Sequence, residues 1–153
     1  MSGGARVLVD ADSCPLLVRK YLLSYTRKLN VKLIFVANKI IPASGAGENF
    51  SMQICPEESG AADNWILQNC AEYDIIVTRD IPLAAALLEK GIRVMNDRGT
   101  LFSAENIGRK LKERELGIQM GELGIGTKKR NTYSKKEFAE FAKVFDREIH
   151  KLV

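Results

Sequence analysis

Five aspartates stand where an α/β chain could use them for chemistry. Asp10 and Asp12 close the stretch VLVDADSCP, Asp80 follows DIIVTR, Asp97 follows RVMN, and Asp63 lies in AADNWI. An apolar run that ends in acids, Ser13, Cys14 and Pro15 reads as a buried strand opening into a loop, where carboxylates are costly unless something pairs with them. Asp10 and Asp12 are two residues apart, so a backbone that stays extended points both side chains the same way. Asp63 precedes Ile66, Leu67 and Cys70 by three, four and seven residues, in line with a helix's apolar stripe. Its other reading is a first-turn acid that answers the positive end of the helix dipole. Singly, Asp10, Asp12, Asp80 and Asp97 are turn formers or caps. Gathered at one edge, they would raise one another's pKa values unless a hard cation, Mg²⁺ or Mn²⁺, sat among them. Such ions activate water and stabilise the entering and leaving oxygens in phosphodiester hydrolysis. Arg79 and Arg98 flank two of the acids, either as phosphate ligands or as salt-bridge partners of the neighbouring aspartates.

Other chemistries are less well supplied. His150, the one histidine, lies at the C-terminal end, far along the chain from Cys14 and the serines that a nucleophile couple would need. Neither a P-loop nor GxGxxG is present, and GELGIG (121–126) is not followed by a helix start. Trp65 reads as partly buried packing or as a stacking surface for a base. A DxD phosphatase with an aspartate nucleophile remains a third reading, for which TRDIP supplies only one acid.

The elements that would position these residues alternate. RVLVD (6–10) is a short buried strand, after which Ser13 caps a helix with Pro15 in its first turn and Val18, Leu22, Tyr25 and Leu29 on one face. VKLIFVAN (31–38) is the second strand, a Gly/Pro/Ser loop covers 42–49, and FSMQIC (50–55) is a weaker strand. A helix over 61–72, a strand over 74–78, a helix over 82–90 and a strand over 92–96 follow. Strands of unbroken Val, Ile and Leu between helices predict a mainly parallel sheet of about five strands, covered on both faces, with ligands at the carboxyl ends of the strands. Residues 103–116 read as a helix, 117–133 as a basic Gly-rich loop, and 134–152 as a C-terminal helix opened by a Ser134/Glu137 capping box. Phe138, Phe141, Ala142, Phe145 and Ile149 form the docking face of that helix.

The 153 residues predict a single domain, 1–153, in which one core buries roughly two thirds of the unfolded surface. Cys14, Cys55 and Cys70 form no CxxC pair, and no membrane span or secretory signal is evident, so a cytoplasmic protein is expected. The net charge of +4 comes wholly from residues 101–153, which hold 12 Lys/Arg against 8 Asp/Glu. That excess is either a solvated surface or the footprint of a polyanion, for which Lys128, Lys129, Arg130, Lys135 and Lys136 are the candidate contacts. Association of identical chains is left open.

The combination DADSCP, FVAN, AADNWI, DIIVTRDIPLA, LEKG, RG, NIG and SKKEFAEFAKVFDR resembles the YaiI/YqxD family of uncharacterised bacterial proteins over nearly the whole chain. That family is similar to PIN-like nucleases. The resemblance implies a three-layer α/β fold whose acids gather around Mg²⁺ or Mn²⁺ to cleave RNA or, less readily expected, DNA. It matches Asp10, Asp63, Asp80 and Asp97 to the acids of that site and Asp12 to the family's own DAD motif. Where the pattern has a further acid three residues before the helix aspartate this chain has Gly60, and Asn64 replaces the next, implying fewer ligands. The competing reading is a PIN-like module that binds RNA or protein without catalysis.

Overall fold

The computed structural model describes residues 4–124 and 132–153. At its centre lies β1 (Arg6–Asp10), in which Val7, Leu8 and Val9 have no exposure. Burial on both faces of a pleat requires a layer on each side. β2 (Lys32–Ala37), β3 (Phe50–Ile54), β4 (Asp74–Val77) and β5 (Arg93–Met95) complete an all-parallel sheet in the order β3-β2-β1-β4-β5. The register sets Asp10 opposite Val36 and Val9 opposite Val77, so the three inner strands end almost level.

The helices are α1 (Leu16–Leu29), α2 (Ala61–Asn69), α3 (Ile81–Glu89), α4 (Ala104–Glu122) and α5 (Lys135–His150). One face of the sheet packs Val7, Val9, Leu33 and Phe35 against α1 and α5, through residues such as Leu22, Phe141 and Phe145. On the other face Leu8, Val36, Ile76 and Val94 meet Ile66, Leu83 and Leu87 of α2 and α3, with Ile107 of α4 alongside. The fold is therefore α/β in three layers, consistent with a PIN-like architecture. The chain winds outward from β1 over one face and returns over the other, which makes the gap between β1 and β4 the switch point of the sheet.

Several boundaries differ from the sequence reading. Ser13 does not cap α1: it belongs to a single 3-10 turn, Ala11–Ser13, and Pro15 occupies the cap position without a side-chain bond. The second helix stops at Asn69 because Cys70 is extended. The helix read as 103–116 continues through Gly117 and Gly121 to Glu122. Each glycine weakens a helix by roughly 1 kcal/mol but leaves its hydrogen bonds intact, so the surrounding Glu, Leu, Gln and Met carry the helix through. In α5, Glu137 accepts the Ser134 N–H at 2.7 Å as expected, and Phe141, Phe145 and Ile149 are buried together with Val144 and Glu148. Gly99 has φ +84°, and a Cβ there would lie 2.7 Å from the Glu140 carbonyl oxygen, so only glycine lets the turn after β5 rest on α5.

Two ion-pair sites anchor the layers away from the carboxyl ends. Asp74, 1% exposed, takes Arg6 Nε at 2.9 Å and Nη2 at 2.8 Å, and the Ala71 N–H at 2.8 Å. Buried Glu148 on α5 faces Arg93 of β5, with Arg147 Nε at 3.1 Å and Lys151 Nζ at 3.0 Å. Burial pushes its carboxyl up, but the bonds from Lys151 and Arg147 outweigh that and hold it below the usual range. Removing one partner of a buried pair strands the other charge, so Arg6→Met should cost about 3 kcal/mol in urea unfolding. The double variant Arg6→Met/Asp74→Leu should cost less than the single one, because no charge is then left unpaired.

Candidate functional site

The site begins where β1 stops. The chain tightens at Ala11–Ser13, closed by the Cys14 N–H on the Ala11 carbonyl at 3.3 Å, so the expected two-residue alternation does not carry from Asp10 to Asp12. Asp12 instead receives the Asn38 N–H on Oδ2 at 2.9 Å. Across the switch point, Thr78 follows β4. Its hydroxyl donates to Asp10 Oδ2 at 3.0 Å and accepts the Asp80 N–H at 3.0 Å. Asp80 is the N-cap of α3, taking the Leu83 N–H on Oδ1 at 2.9 Å, with Pro82 in the first turn. Asp63 sits in the first turn of α2, which starts from left-handed Gly60 (φ 79°) without a side-chain cap. Both sequence readings describe the structure in part: Asp63 is a first-turn acid, though it makes no cap bond, and it faces Asp80 and Asp10.

The electrostatics follow from this grouping. Burial, then a hydrogen bond shared with Asp80, then the charges of Asp80 and Asp10 push the Asp63 carboxyl up to about 7. Asp10 is also raised, chiefly by burial and further by Asp80 and Asp12, against the lowering effect of the Thr78 bond. Among the described residues, Asp74, Asp97 and Glu148 each have an Arg or Lys partner, whereas Asp10, Asp12, Asp63 and Asp80 have none. Asp10, Asp12 and Asp63 line a groove of about 210 Å³ with Asn38, Glu57 and Glu58, so it holds five acids and no basic side chain. Among the described residues, no three acid, thiol or imidazole groups are already drawn together closely enough to hold one ion.

Asp97 stands apart from that groove. It is buried after β5, its Oδ2 takes Arg79 Nε at 2.7 Å, and its carbonyl accepts the Tyr133 hydroxyl. Arg79 thus pairs across the sheet end and not with its chain neighbour Asp80. Arg98 donates its N–H to Asn96 Oδ1 at 2.9 Å, and its side chain lies close enough to Glu137 to lower that carboxyl slightly, after the larger effect of the Ser134 bonds. Lys135 and Lys136 are exposed in the first turn of α5, beside the same turn. Arg79 and Arg98 thus lie after β4 and β5 and Lys135 and Lys136 at the start of α5, while Lys128, Lys129 and Arg130 lie outside the described residues. Burial first, then Asp97, pushes the Cys14 thiol up to about 12, which disfavours its thiolate. His150 contacts the Asp146 carbonyl far down α5.

Sequence reasoning passed over Thr78, Asn38, Tyr133, Glu57 and Glu58. The hydroxyl placed immediately before Arg79 and Asp80 in VTRD, and the acidic PEES ahead of the α2 start, were the available signals. Tyr133 and Asn38 act through long-range contacts that no local pattern marks.

Comparison with known proteins adds the family and no activity. The family described as uncharacterized BCR, YaiI/YqxD, matches residues 8–151. A UPF0178 protein of Treponema denticola is 38% identical over 141 residues, spanning 92% of this chain and 89% of its own. UPF0178 proteins of Pseudoalteromonas atlantica and Myxococcus xanthus are 36% and 35% identical over 93% and 97% of the chain, and over 96% of their own lengths. No solved structure matches.

Because the fold raises the Asp63 pKa from an ordinary value of roughly 4 to about 7, the folded state binds the extra proton between those limits. Stability in metal-free buffer should therefore fall as pH rises from about 4 to about 7, then level off. Asp80→Asn keeps the α3 cap, since Asn caps as well as Asp, but removes the charge. Its thermal midpoint should match or exceed the parent's at pH 7.5 and vary less across the window. A midpoint well below the parent's would show that the Asp80 charge stabilises the fold and would overturn the repulsion reading.

Proposed function

The chain belongs to the YaiI/YqxD family of uncharacterised bacterial proteins, and within it we propose a Mg²⁺- or Mn²⁺-dependent nuclease that hydrolyses phosphodiester bonds of RNA or single-stranded nucleic acid. One observation carries the reading. Asp63 faces Asp80 and Asp10 at the switch point of a parallel sheet with no described cation beside them, while the buried acids elsewhere are paired. The donor set fits a hard divalent ion: all oxygen, uncompensated and mounted on the ends of rigid elements. Asp10, Asp63 and Asp80 would hold it, with Asp12 at the rim, once the side chains draw inward.

When bound, the ion supplies Lewis acidity and positive charge toward phosphate oxygens. The chain's own residues do the rest. Thr78 ties Asp10 to the start of α3, fixing one carboxylate against the other strand end. Arg79, half exposed and held by Asp97, presents its guanidinium at the rim. With Arg98, Lys135 and Lys136 it offers the charge that a phosphate backbone needs, since the groove itself is acidic. The resemblance to PIN-like nucleases points the same way. No helix of the described residues is long and apolar enough to cross a membrane. The unclosed spacing of the acids favours, as a second reading, a module that binds nucleic acid without cleaving it.

Calorimetric titration with Mn²⁺ separates the two. The parent should bind Mn²⁺ and cleave single-stranded RNA only in its presence. Asp80→Asn and Asp63→Asn should fold yet lose affinity by at least the roughly tenfold that even an outer-shell change costs. RNA binding without Mn²⁺ binding or cleavage would establish the second reading.

The rim has its own readout. Neutralising Arg98, Lys135 and Lys136 together should flatten the salt dependence of RNA binding by ~2 units of slope, at ~0.7 per phosphate contact. An unchanged slope and affinity would remove this rim from the interface.

A further inference from the structure

Asp97 is 3% exposed, and its two carboxylate oxygens have different surroundings. Oδ2 carries the Arg79 contact, whereas Oδ1 is buried and takes no hydrogen bond from any described group. A buried carboxylate oxygen without a donor is expensive, and in native proteins such groups are satisfied by protein or by ordered water. Asp97 lines a small chamber of about 10 Å³ together with Asp10, Ser13, Cys14, Thr78 and Arg79. That is close to the room one water takes and too little for a larger ligand. The lining suits water: two carboxylates that accept, and a Ser13 hydroxyl that both donates and accepts. A cation is the poorer occupant, because the Arg79 guanidinium already forms part of the wall.

We infer that this chamber holds one resident water molecule that donates to Asp97 Oδ1 and to the Asp10 carboxylate, which makes Asp97 a positioning residue for Asp10. The link runs from the rim inward: Arg79 orients Asp97, Asp97 orients the water, and the water steadies Asp10 from behind the acidic groove. Asp97 then serves the site without facing the groove. The role of the water in binding a metal rests on the proposed cation site, whereas its presence in the chamber does not.

Crystals of the parent protein test the site directly. The expected result is a density peak in the chamber within hydrogen-bonding distance of Asp97 Oδ1 and Asp10, and a chamber without one overturns the proposal. Cys14→Met extends a side chain into the chamber and should expel the water, weakening Mn²⁺ binding about tenfold, as loss of an outer-shell contact does. Cys14→Ala leaves the room intact and should bind Mn²⁺ within about twofold of the parent, since no outer-shell contact is lost. Should Cys14→Met fail to fold, Ser13→Val makes the same change from a second lining residue. Parent-like affinity in the filled variants overturns the positioning role. A parent that binds no Mn²⁺ overturns that role together with the metal reading, while the density peak still decides whether the water is there.

Discussion

The structure depends on a strand that has no free side. β1 is paired on both edges, by β2 and β4, and covered on both faces, by α1 and α5 on one and α2 and α3 on the other. Val7, Leu8 and Val9 accordingly leave water altogether. Such a strand must end in the one direction still open, the carboxyl end. Asp10 is therefore delivered to the switch point by the same constraint that builds the core, and the loops after β1 and β4 have to diverge around it.

Acids in this fold are treated in two ways. Where a carboxylate has a structural task it has been given a counter-charge: Asp74 has Arg6, Glu148 has three basic neighbours, and Asp97 has Arg79. At the switch point the partners are instead a threonine hydroxyl and backbone N–H groups, which orient carboxylates without neutralising them. The cost of leaving them so is visible in the raised Asp63 and Asp10 carboxyls. Carboxyls perturbed by burial and by one another in this way cluster at functional sites.

Much of this was present in the sequence. Continuous apolar strands such as VLV and IIV specified the parallel sheet, because burial on both faces leaves no polar alternation. The short helix starts at Pro15 and Pro82 were marked by proline's fixed φ, to within a residue or two. The site was legible as a set of acids and not as a geometry. Asp63 had two readings because a first-turn helix position can also face a site, and its neighbours across the sheet end are not visible in local spacing. Asp97 read as one more acid of the cluster because its pairing with Arg79, 18 residues away, leaves no mark in local spacing. The same holds for Tyr133, which reaches back 36 residues to the Asp97 carbonyl. The extension of α4 escaped notice for a different reason: glycine weakens a helix without ending it, and the residues around Gly117 and Gly121 outvoted it.

The order in which the chain is made sets a timetable for its folding. β1 is made before the elements that cover it: its partner β4 lies 68 residues later, and the Phe141 and Phe145 that close one face come from α5. At roughly 5–20 residues per second, β1 waits for seconds with one edge unpaired and one face uncovered. The β1–β4 edge cannot form before β4 has been made, and the first layer stays open until α5 follows. High contact order of this kind slows folding and exposes the nascent chain to association. The central position that protects β1 in the finished protein thus leaves it waiting for partners on both sides while the chain is being synthesised.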